Sequence, residues 1–392
     1  MTRRKRPILR ISAALALLLP ASFLASRLGR SAVYGSTGDA RVGQDCVSQA
    51  AGQSPARFAA TVARARALAC EKLAPAIPGL AIAVAVNGEL VWSEAFGYAD
   101  LAAKRRATPA TQFRIGSVSK PVTAAAVALL VEQGKLDLDA PIQRYVPSFP
   151  DKGAVITTRQ LAGHLAGIRH YQGDEFLLNR RFRTVTEALS IFQNDPLLHP
   201  PGTRFAYSSY GWNLISAVVE AASGQEFLAY MSRNVFAPLR LRHTAPDRKD
   251  SVMADRTKFY ERAGSGFALA PEVDNSYKWA GGGFVSTAED LVRFGSAHRG
   301  PGFLKPETLE LLFTAQRTAA GEATPYGVGW FVSRDSLGHR VVYHGGGSVG
   351  GTTAFGIDRD SRVVFAIVTN LSNARLEAGQ QIRAMFDSAT VK

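Results

Sequence analysis

Residues 116–121 read Gly116-Ser117-Val118-Ser119-Lys120-Pro121 and carry the features of a helix start. Proline cannot donate an intrahelical hydrogen bond and is tolerated only near the first turn. The ten residues that follow, 122–131, are apolar on nearly every side, which is typical of a buried helix. Gly134 suits the position just after its end. The sequence therefore predicts a buried helix that begins beside Ser117.

Ser117 and Lys120 are three residues apart, so a helix places them on one face, with about 5–6 Å between their Cβ atoms. A serine beside a lysine suits nucleophilic catalysis, in which the amine takes the hydroxyl proton. The amino end of a helix also offers unpaired N–H groups and a positive dipole end, which favour a developing anion. The alternative at this point is a buried helix that begins with these residues by chance.

Strand patterns occur near both ends of the chain. Leu80 to Val86 is an apolar strand, Asn87-Gly88 is a strong hairpin signal, and Glu89 to Tyr98 is the returning strand. Short β-rich segments near the other end precede a last amphipathic helix and lie at 327–332, 340–343, 352–357 and 362–368. We predict an α+β fold in which one antiparallel sheet is built from both chain ends and flanked by helices.

Between the two strand regions the pattern is helical. Helical spacing recurs in segments joined by Pro-rich loops, with no convincing strand pair, at 158–166, 184–193, 211–222 and 226–235. We predict one domain over residues 56–392. Its α/β lobe comprises 56–135 and 281–392, and an inserted helical lobe comprises 136–280.

Residues 1–26 have the pattern of an export signal, with basic residues followed by an apolar run from Ile11 to Leu24. The run is shorter than the ~20 residues that span a bilayer, and Pro20 interrupts it. Its cleavage site is poor, so a cleaved signal peptide and an uncleaved signal-anchor that tethers the protein to the membrane are both open. Residues 27–55 read as a linker. We expect an exported protein, periplasmic or anchored to the outer face of the inner membrane.

The formal net charge is +14, but seven of the 46 basic residues lie in the first thirty positions. No long Lys/Arg run follows, so we expect no nucleic-acid partner. Cys46 and Cys70 either pair or are unrelated thiols, because spacing alone cannot show pairing. The seven histidines form no metal-binding motif, and His164 and His170 are interpreted as structural. We expect no metal and no cofactor; the oligomeric state is not readable from the sequence.

Two further segments carry groups suited to a site. Tyr207, in the loop before a predicted helix, can act as a general base if cationic Lys120 lies beside it, because a positive charge favours the phenolate. A packed aromatic loop is the alternative. At 342–351 a strand ends in a glycine run whose N–H groups can approach a ligand closely. Ser348 in that run matches G-x-S-x-G, but strands rather than a helix follow it, so we reject it as the nucleophile.

Three motifs, in this order, resemble those of the serine β-lactamase and penicillin-binding protein family. Ser117-Val118-Ser119-Lys120, Tyr207-Ser208-Ser209 and His344-Gly345-Gly346 are similar to the S-x-x-K, Y-x-N and K/H-T/S-G motifs of class C enzymes and DD-peptidases. Three other segments, 167–171, 194–197 and 274–284, resemble the mitochondrial branch of the family. The resemblance covers roughly residues 56–390 and, through the order of its motifs, is specific.

The resemblance implies a β-lactamase/transpeptidase-like fold and roles for the motif residues. Ser117 is the expected nucleophile, and Lys120 and Tyr207 are expected to share the proton transfers. The N–H groups of Ser117 and Gly347 are expected to form the oxyanion hole. His344 is expected to orient Tyr207 or a substrate carboxylate. The full oxyanion and substrate-binding set is Ser117, Ser209, His344, Gly346 and Gly347.

Two departures from the family motifs bear on the substrate. Ser209 stands where the family usually has asparagine, and Gly345 stands where a hydroxyl residue usually helps to bind the β-lactam carboxylate. We therefore expect poor antibiotic hydrolysis. The mitochondrial branch is regarded as a serine protease, so we predict a serine hydrolase that acts on a small peptide, amide or ester, foremost a peptidase or amidase. The alternatives are a β-lactamase, DD-peptidase or esterase of the same fold, or a catalytically silent sensor of cell-wall peptide.

Overall fold

A computed structural model describes residues 46–390 of the chain. The strands are β1 (Ser48–Ala50), β2 (Gly79–Val86), β3 (Glu89–Asp100), β4 (Arg105–Arg106), β5 (Phe113–Arg114), β6 (Ala245–Pro246), β7 (Tyr260–Ala263), β8 (Gly266–Leu269), β9 (Phe284–Ser286), β10 (Phe331–Arg334), β11 (Arg340–Ser348), β12 (Gly351–Asp358) and β13 (Val363–Thr369). The α-helices are α1 (Ala59–Lys72), α2 (Ser119–Glu132), α3 (Thr158–Ala162), α4 (Val185–Leu189), α5 (Ser209–Ser223), α6 (Phe227–Met231), α7 (Trp279–Gly282), α8 (Ala288–Ala297), α9 (Pro306–Phe313) and α10 (Ala378–Thr390).

The main sheet joins the two ends of the chain. Its strands follow the order β1-β3-β2-β13-β12-β11-β10, each antiparallel to its neighbours, and β4 pairs with β3. The β2–β3 hairpin turns at Asn87 and Gly88, whose φ angles of 55° and 86° match the tight turn expected of this dipeptide. The pairing of β2 with β13 confirms the predicted sheet built from both chain ends.

Both faces of this sheet are covered, which explains why β2 is apolar throughout. Ala81 and Ala83 belong to one core, together with residues of α2 and α8. Ile82 and Val84 belong to the other, together with residues of α1 and α10. Successive side chains of a strand point to opposite faces, so a strand buried on both faces needs apolar residues at every position.

The predicted helical lobe contains helices α3 to α6, but it also contains strands. β7 and β8 form a hairpin, and β6 pairs with β9, which in turn pairs with β5. The prediction of no strand pair in this lobe was therefore wrong. Strands of two to four residues are too short to establish an alternating pattern, and β5 and β6 also find their partner, β9, far along the chain.

The end of the predicted linker belongs to the folded part of the chain. β1 pairs with β3 at the edge of the sheet, and Cys46 forms a disulfide with Cys70 of α1. The disulfide decides between the two alternatives that spacing left open. The predicted export segment, 1–26, lies outside the described residues. No helix within residues 46–390 has the length and apolar character needed to cross a bilayer.

Candidate active site

Ser117 lies where a tight turn enters α2. Gly116–Val118 form a 3₁₀ turn and α2 continues from Ser119, so the helix begins where the sequence predicts. Gly116 has a φ of +50°, and a Cβ atom there would lie 2.4 Å from the carbonyl oxygen of Gly347. Ser117 is partly exposed, whereas the residues on both sides of it are buried. Its side chain is therefore the part of this turn that a substrate can reach.

Lys120 is fully buried behind Ser117. Its Nζ lies 3.1 Å from Ser117 Oγ, 2.9 Å from Ser209 Oγ and 2.7 Å from the carbonyl oxygen of Gly281. Burial, and then the charge of Lys278, holds the pKa of Lys120 well below its ordinary value. A low dielectric and a like charge both disfavour the ammonium form. A neutral amine at this distance can accept the hydroxyl proton of Ser117.

Tyr207 joins this group from the loop before α5. Its hydroxyl is hydrogen-bonded with Ser117 and Ser209, and Lys120 Nζ lies 4.9 Å from the centre of its ring. Burial raises the pKa of Tyr207, although the bonds with the two serines lower it in part. The geometry therefore does not favour the predicted phenolate. Tyr207 is a neutral phenol that contacts both Ser117 and Ser209, the last residue of the Tyr207-Ser208-Ser209 motif.

His164 and His170 hold the loop that carries Tyr207. His164 Nδ1 accepts a hydrogen bond from the N–H of Ser208, and His170 Nδ1 accepts one from the N–H of Ser209, each at 3.1 Å. Burial is the largest cause that lowers the pKa of both rings, that of His170 to about 3, so both are neutral acceptors. The sequence predicted structural histidines but gave no sign of this role, because 44 and 39 residues separate the partners.

The third motif lies inside a strand rather than after it. β11 continues through the glycine run to Ser348, so the predicted strand end at Tyr343 was wrong. β10 pairs with the first part of β11 only, and beyond it β11 packs against the Ser117 turn. A Cβ atom at Gly346 would lie 2.0 Å from the carbonyl oxygen of Ile115. The absence of side chains here lets the two backbones approach each other.

His344 is buried in β11, and both of its ring nitrogens have neighbours. Nε2 lies 2.8 Å from Tyr326 Oη, and Nδ1 lies 2.6 Å from the carbonyl oxygen of Gly345. Burial, and then the charge of Lys120, lowers the pKa of His344 to about 3. Its ring centre is 6.3 Å from that of Tyr207. The prediction that His344 orients Tyr207 or a substrate carboxylate is not what this geometry favours, because the neutral ring is bonded to Tyr326.

Ser348, the serine rejected from its sequence context, is followed by the β11–β12 hairpin, and its side chain is buried. Over the described part of the chain, the carboxylates and histidines place three candidate metal ligands together, namely Asp335, His339 and Asp358. Arg383 donates to Asp335 and Asp358 at 2.9 Å each, so an arginine already bonds to both carboxylates of this cluster.

Known proteins are similar to this chain over most of its length. A model of the Beta-lactamase family matches residues 58–389. The serine beta-lactamase-like protein LACTB, mitochondrial, of Homo sapiens is 35% identical over an alignment of 322 residues, and the match covers 60% of this chain and 59% of that protein. Penicillin-binding protein 4* of Bacillus subtilis (strain 168) is 27% identical over 290 residues, covering 69% of this chain and 63% of its own. The chain thus spans less than two thirds of these curated relatives.

Among solved structures, the octameric penicillin-binding protein homologue from Pyrococcus abyssi superposes with a TM-score of 0.72 and 26% sequence identity. The superposition covers 84% of this chain and 77% of that one.

Proposed function

This chain belongs to the beta-lactamase family of serine hydrolases, and from that premise we propose that it cleaves a peptide or amide bond through an acyl-enzyme on Ser117. The observation that carries the proposal is the 3.1 Å contact between Ser117 Oγ and the buried amine of Lys120. A serine hydroxyl is a weak nucleophile until a neighbouring base takes its proton. Lys120, whose pKa is held well below its ordinary value by burial and then by the charge of Lys278, is suited to that work.

In the proposed mechanism Lys120 Nζ accepts the Ser117 proton as Oγ attacks the substrate carbonyl. The new C–O bond gives a tetrahedral oxyanion, which the N–H groups of Ser117 and Gly347 stabilise. One such donor is worth about 10²–10³ in rate. Collapse breaks the C–N bond, and the leaving amine takes a proton from the Lys120 ammonium or from the Tyr207 phenol, which Lys120 restores. A water molecule then attacks the acyl-enzyme while Lys120 accepts its proton. The bond to Ser117 Oγ breaks, and Lys120 returns a proton to Oγ.

The contacts of Ser209 bear on the alternative of a silent sensor. Its hydroxyl lies 2.9 Å from Lys120 Nζ and is hydrogen-bonded to Tyr207, so a polar partner remains where the family usually has asparagine. This favours an enzyme over a sensor. Gly345 offers no hydroxyl for a β-lactam carboxylate, and this supports a peptide or amide over an antibiotic as the substrate.

Substitution of the nucleophile is the direct test. We expect Ser117→Ala to abolish labelling by a fluorophosphonate probe and to lower amide hydrolysis at least ~10³-fold, because the covalent route is lost. Ser348→Ala, at the buried serine of β11, is the matched control and is expected to label normally. Retention of the adduct in Ser117→Ala, measured by intact-protein mass, would refute the proposal.

The substrate class needs a separate comparison. The values of kcat/KM for a peptide amide, the corresponding ester and a β-lactam should be compared. The substrate with the highest value distinguishes among a peptidase or amidase, an esterase and a β-lactamase. We expect turnover of the amide and slow or stable acylation by the β-lactam. A stable adduct with every substrate, without turnover, would instead identify a sensor.

We also propose that the protein is exported. The basic and apolar pattern of residues 1–26 supports this, as does the Cys46–Cys70 disulfide, because disulfides persist mainly in oxidising compartments. A fusion of residues 1–55 to a reporter that is active only outside the cytoplasm tests the proposal. A reporter that stays inactive would refute it.

A further inference from the structure

A second buried lysine lies beside the Ser117 site. Lys278 is 1% exposed, and its Nζ has no hydrogen-bond partner among the described residues. Three aromatic rings form a box around the amine, which we call the aromatic box. The distances from Nζ to the ring centres are 4.3 Å to Phe176, 5.1 Å to Tyr277 and 5.9 Å to Tyr171. Buried lysines are rare unless paired, so an unpaired one needs an explanation.

Helix α7 connects Lys278 to the proposed base. Lys278 immediately precedes α7, and the carbonyl of Gly281 in that helix accepts the hydrogen bond of Lys120 Nζ. A Cβ atom placed at Gly282 would lie 3.9 Å from Lys278 Cδ and 3.7 Å from the carbonyl carbon of Gly116. The stem of Lys278 therefore runs close to the turn that presents Ser117.

We propose that Lys278 is a positioning residue that acts through Lys120: its unpaired ammonium, held in the aromatic box, keeps the Lys120 amine free to accept the proton of Ser117. The inference rests on the proposed function and adds a residue outside all three motifs. A cation near a catalytic lysine disfavours a second positive charge there. Aromatic faces stabilise the ammonium of Lys278 without a hydrogen bond, so its charge is not neutralised by a bonded acid.

The charged groups around Lys278 leave this cation uncompensated. The acid that acts on it is Asp247, whose carboxylate is already bonded by Arg114 at 2.6 Å and Arg256 at 3.0 Å. Burial, and then Arg114, lowers the pKa of Lys278 to about 7, while Asp247 raises it. Below about pH 7 Lys278 is therefore mainly charged.

Glu175 acts on Tyr171 and Tyr277 of the same cluster, and its carboxylate is already bonded by Arg169 at 2.7 Å. The remaining titratable groups that face the two lysines are neutral in this range. Burial holds the pKa of His170 and His344 near 3 and lowers that of His164, and it raises the pKa of Tyr171, Tyr207 and Tyr277. Lys278 is thus the cation that acts on Lys120 as the pH falls, and the two amines titrate as a coupled pair.

The test is the pH dependence of acylation in the full chain. We expect Lys278→Met to move the acidic limb of the Ser117 acylation rate upward by about one pH unit, which lowers the rate about tenfold on that limb and spares the alkaline plateau. Lys278→Arg, which keeps a permanent charge, is expected to restore the wild-type limb. Lys135→Met, at an exposed lysine beyond α2, is the matched control and should leave the profile unchanged.

The outcomes separate the two proposals. If Ser117 forms no adduct at any pH, the proposed function fails and this inference fails with it. If Ser117 is acylated but the acidic limb of Lys278→Met is unchanged, or only KM changes, the role of Lys278 is refuted and the proposed function stands. If Lys278→Met does not fold, the lysine Cε resonances of ¹³C-labelled wild type provide the test. The Lys120 resonance is identified as the one absent from Lys120→Met. It must titrate in two coupled steps, and a single step refutes the proposal.

Discussion

The loop that carries Tyr207 and the strand that carries the glycine run reach Ser117 by opposite means. Side chains of other segments hold the loop: His164 and His170 accept hydrogen bonds from its backbone N–H groups. The strand needs no such support, because its neighbours in the sheet fix it and missing side chains let it touch the Ser117 turn. Acylation and stability should therefore be sensitive to the loss of the acceptors that hold the loop. At the strand they should be sensitive to any atom added to its glycines.

Among the variants that test this contrast between loop and strand, Gly346→Ala is expected to have the largest effect. The new Cβ would lie 2.0 Å from the carbonyl oxygen of Ile115, and this contact is with backbone, which cannot rotate away. We expect the acylation rate per folded molecule to fall at least ~10²-fold, because a displacement of about 1 Å at a reacting centre costs that much. Unfolding by urea should show a loss of about 1–3 kcal/mol from overpacking.

Gly300→Ala is the matched control for that variant. No atom lies within 4 Å of a Cβ at Gly300, and its φ is not in the left-handed region. We expect wild-type labelling and nearly wild-type stability. If Gly346→Ala were acylated at the wild-type rate, close contact between β11 and the turn would not be needed, and the contrast between strand and loop would fail.

The local parts of this molecule could be predicted from the sequence, whereas most of its long-range pairings could not. The Ser117 helix start and the Asn87-Gly88 hairpin depend on neighbouring residues, and both are present. Strand patterns at both chain ends predicted one shared sheet, but which strands pair across it, such as β2 with β13, came from the structure. The extension of β11 through its glycines was missed, because glycine weakens a strand signal unless a backbone packs against it.

The supporting residues of the site illustrate the same limit. His170 acts on the backbone of a residue 39 positions away, and no periodicity or motif connects the two. Lys278 lies in a segment that resembled the family, but its lack of a partner is a property of the folded environment. The sequence therefore indicated the residues proposed to carry the chemistry, but not those that hold them in place.

A medium effect is expected from His170→Leu, which removes the acceptor of the Ser209 N–H. A buried N–H left without a partner costs about 1–3 kcal/mol, and urea unfolding at pH 7.5 measures it. This stability difference should shrink as the pH falls from 6.5 towards 3. In the folded protein the pKa of His170 is about 3, so between pH 6.5 and 3 the ring stays neutral while the unfolded chain takes up a proton. Proton uptake stabilises the unfolded state, and because His170→Leu lacks the ring, only wild type loses this stability.

The same variant tests the loop as a support for catalysis. We expect acylation to slow about tenfold, since Ser209 contacts Lys120 and its backbone would shift. His199→Leu, at a partly exposed histidine whose Nδ1 bonds to the carbonyl of the next residue, is the control and should label normally. Wild-type acylation in His170→Leu would show that the loop does not need its acceptors.

The smallest effect is expected from His344→Gln. The neutral ring bonds to Tyr326 and to the carbonyl oxygen of Gly345, and glutamine can replace one of these two hydrogen bonds. The hydrogen bonds between β11 and β12 already hold the strand, so the net loss is about one hydrogen bond. We expect kcat/KM to fall less than about tenfold, which corresponds to about 0.5–1.5 kcal/mol. Because the pKa of His344 is about 3, its removal should not alter the pH profile between pH 5 and 8.

A comparison of paired substrates tests whether His344 binds a substrate group. In His344→Gln, activity towards a substrate that ends in a carboxylate and towards one that ends in an amide should fall equally. A selective loss with the carboxylate substrate would mean that His344 binds that group directly, and the strand would then contribute a side chain as the loop does.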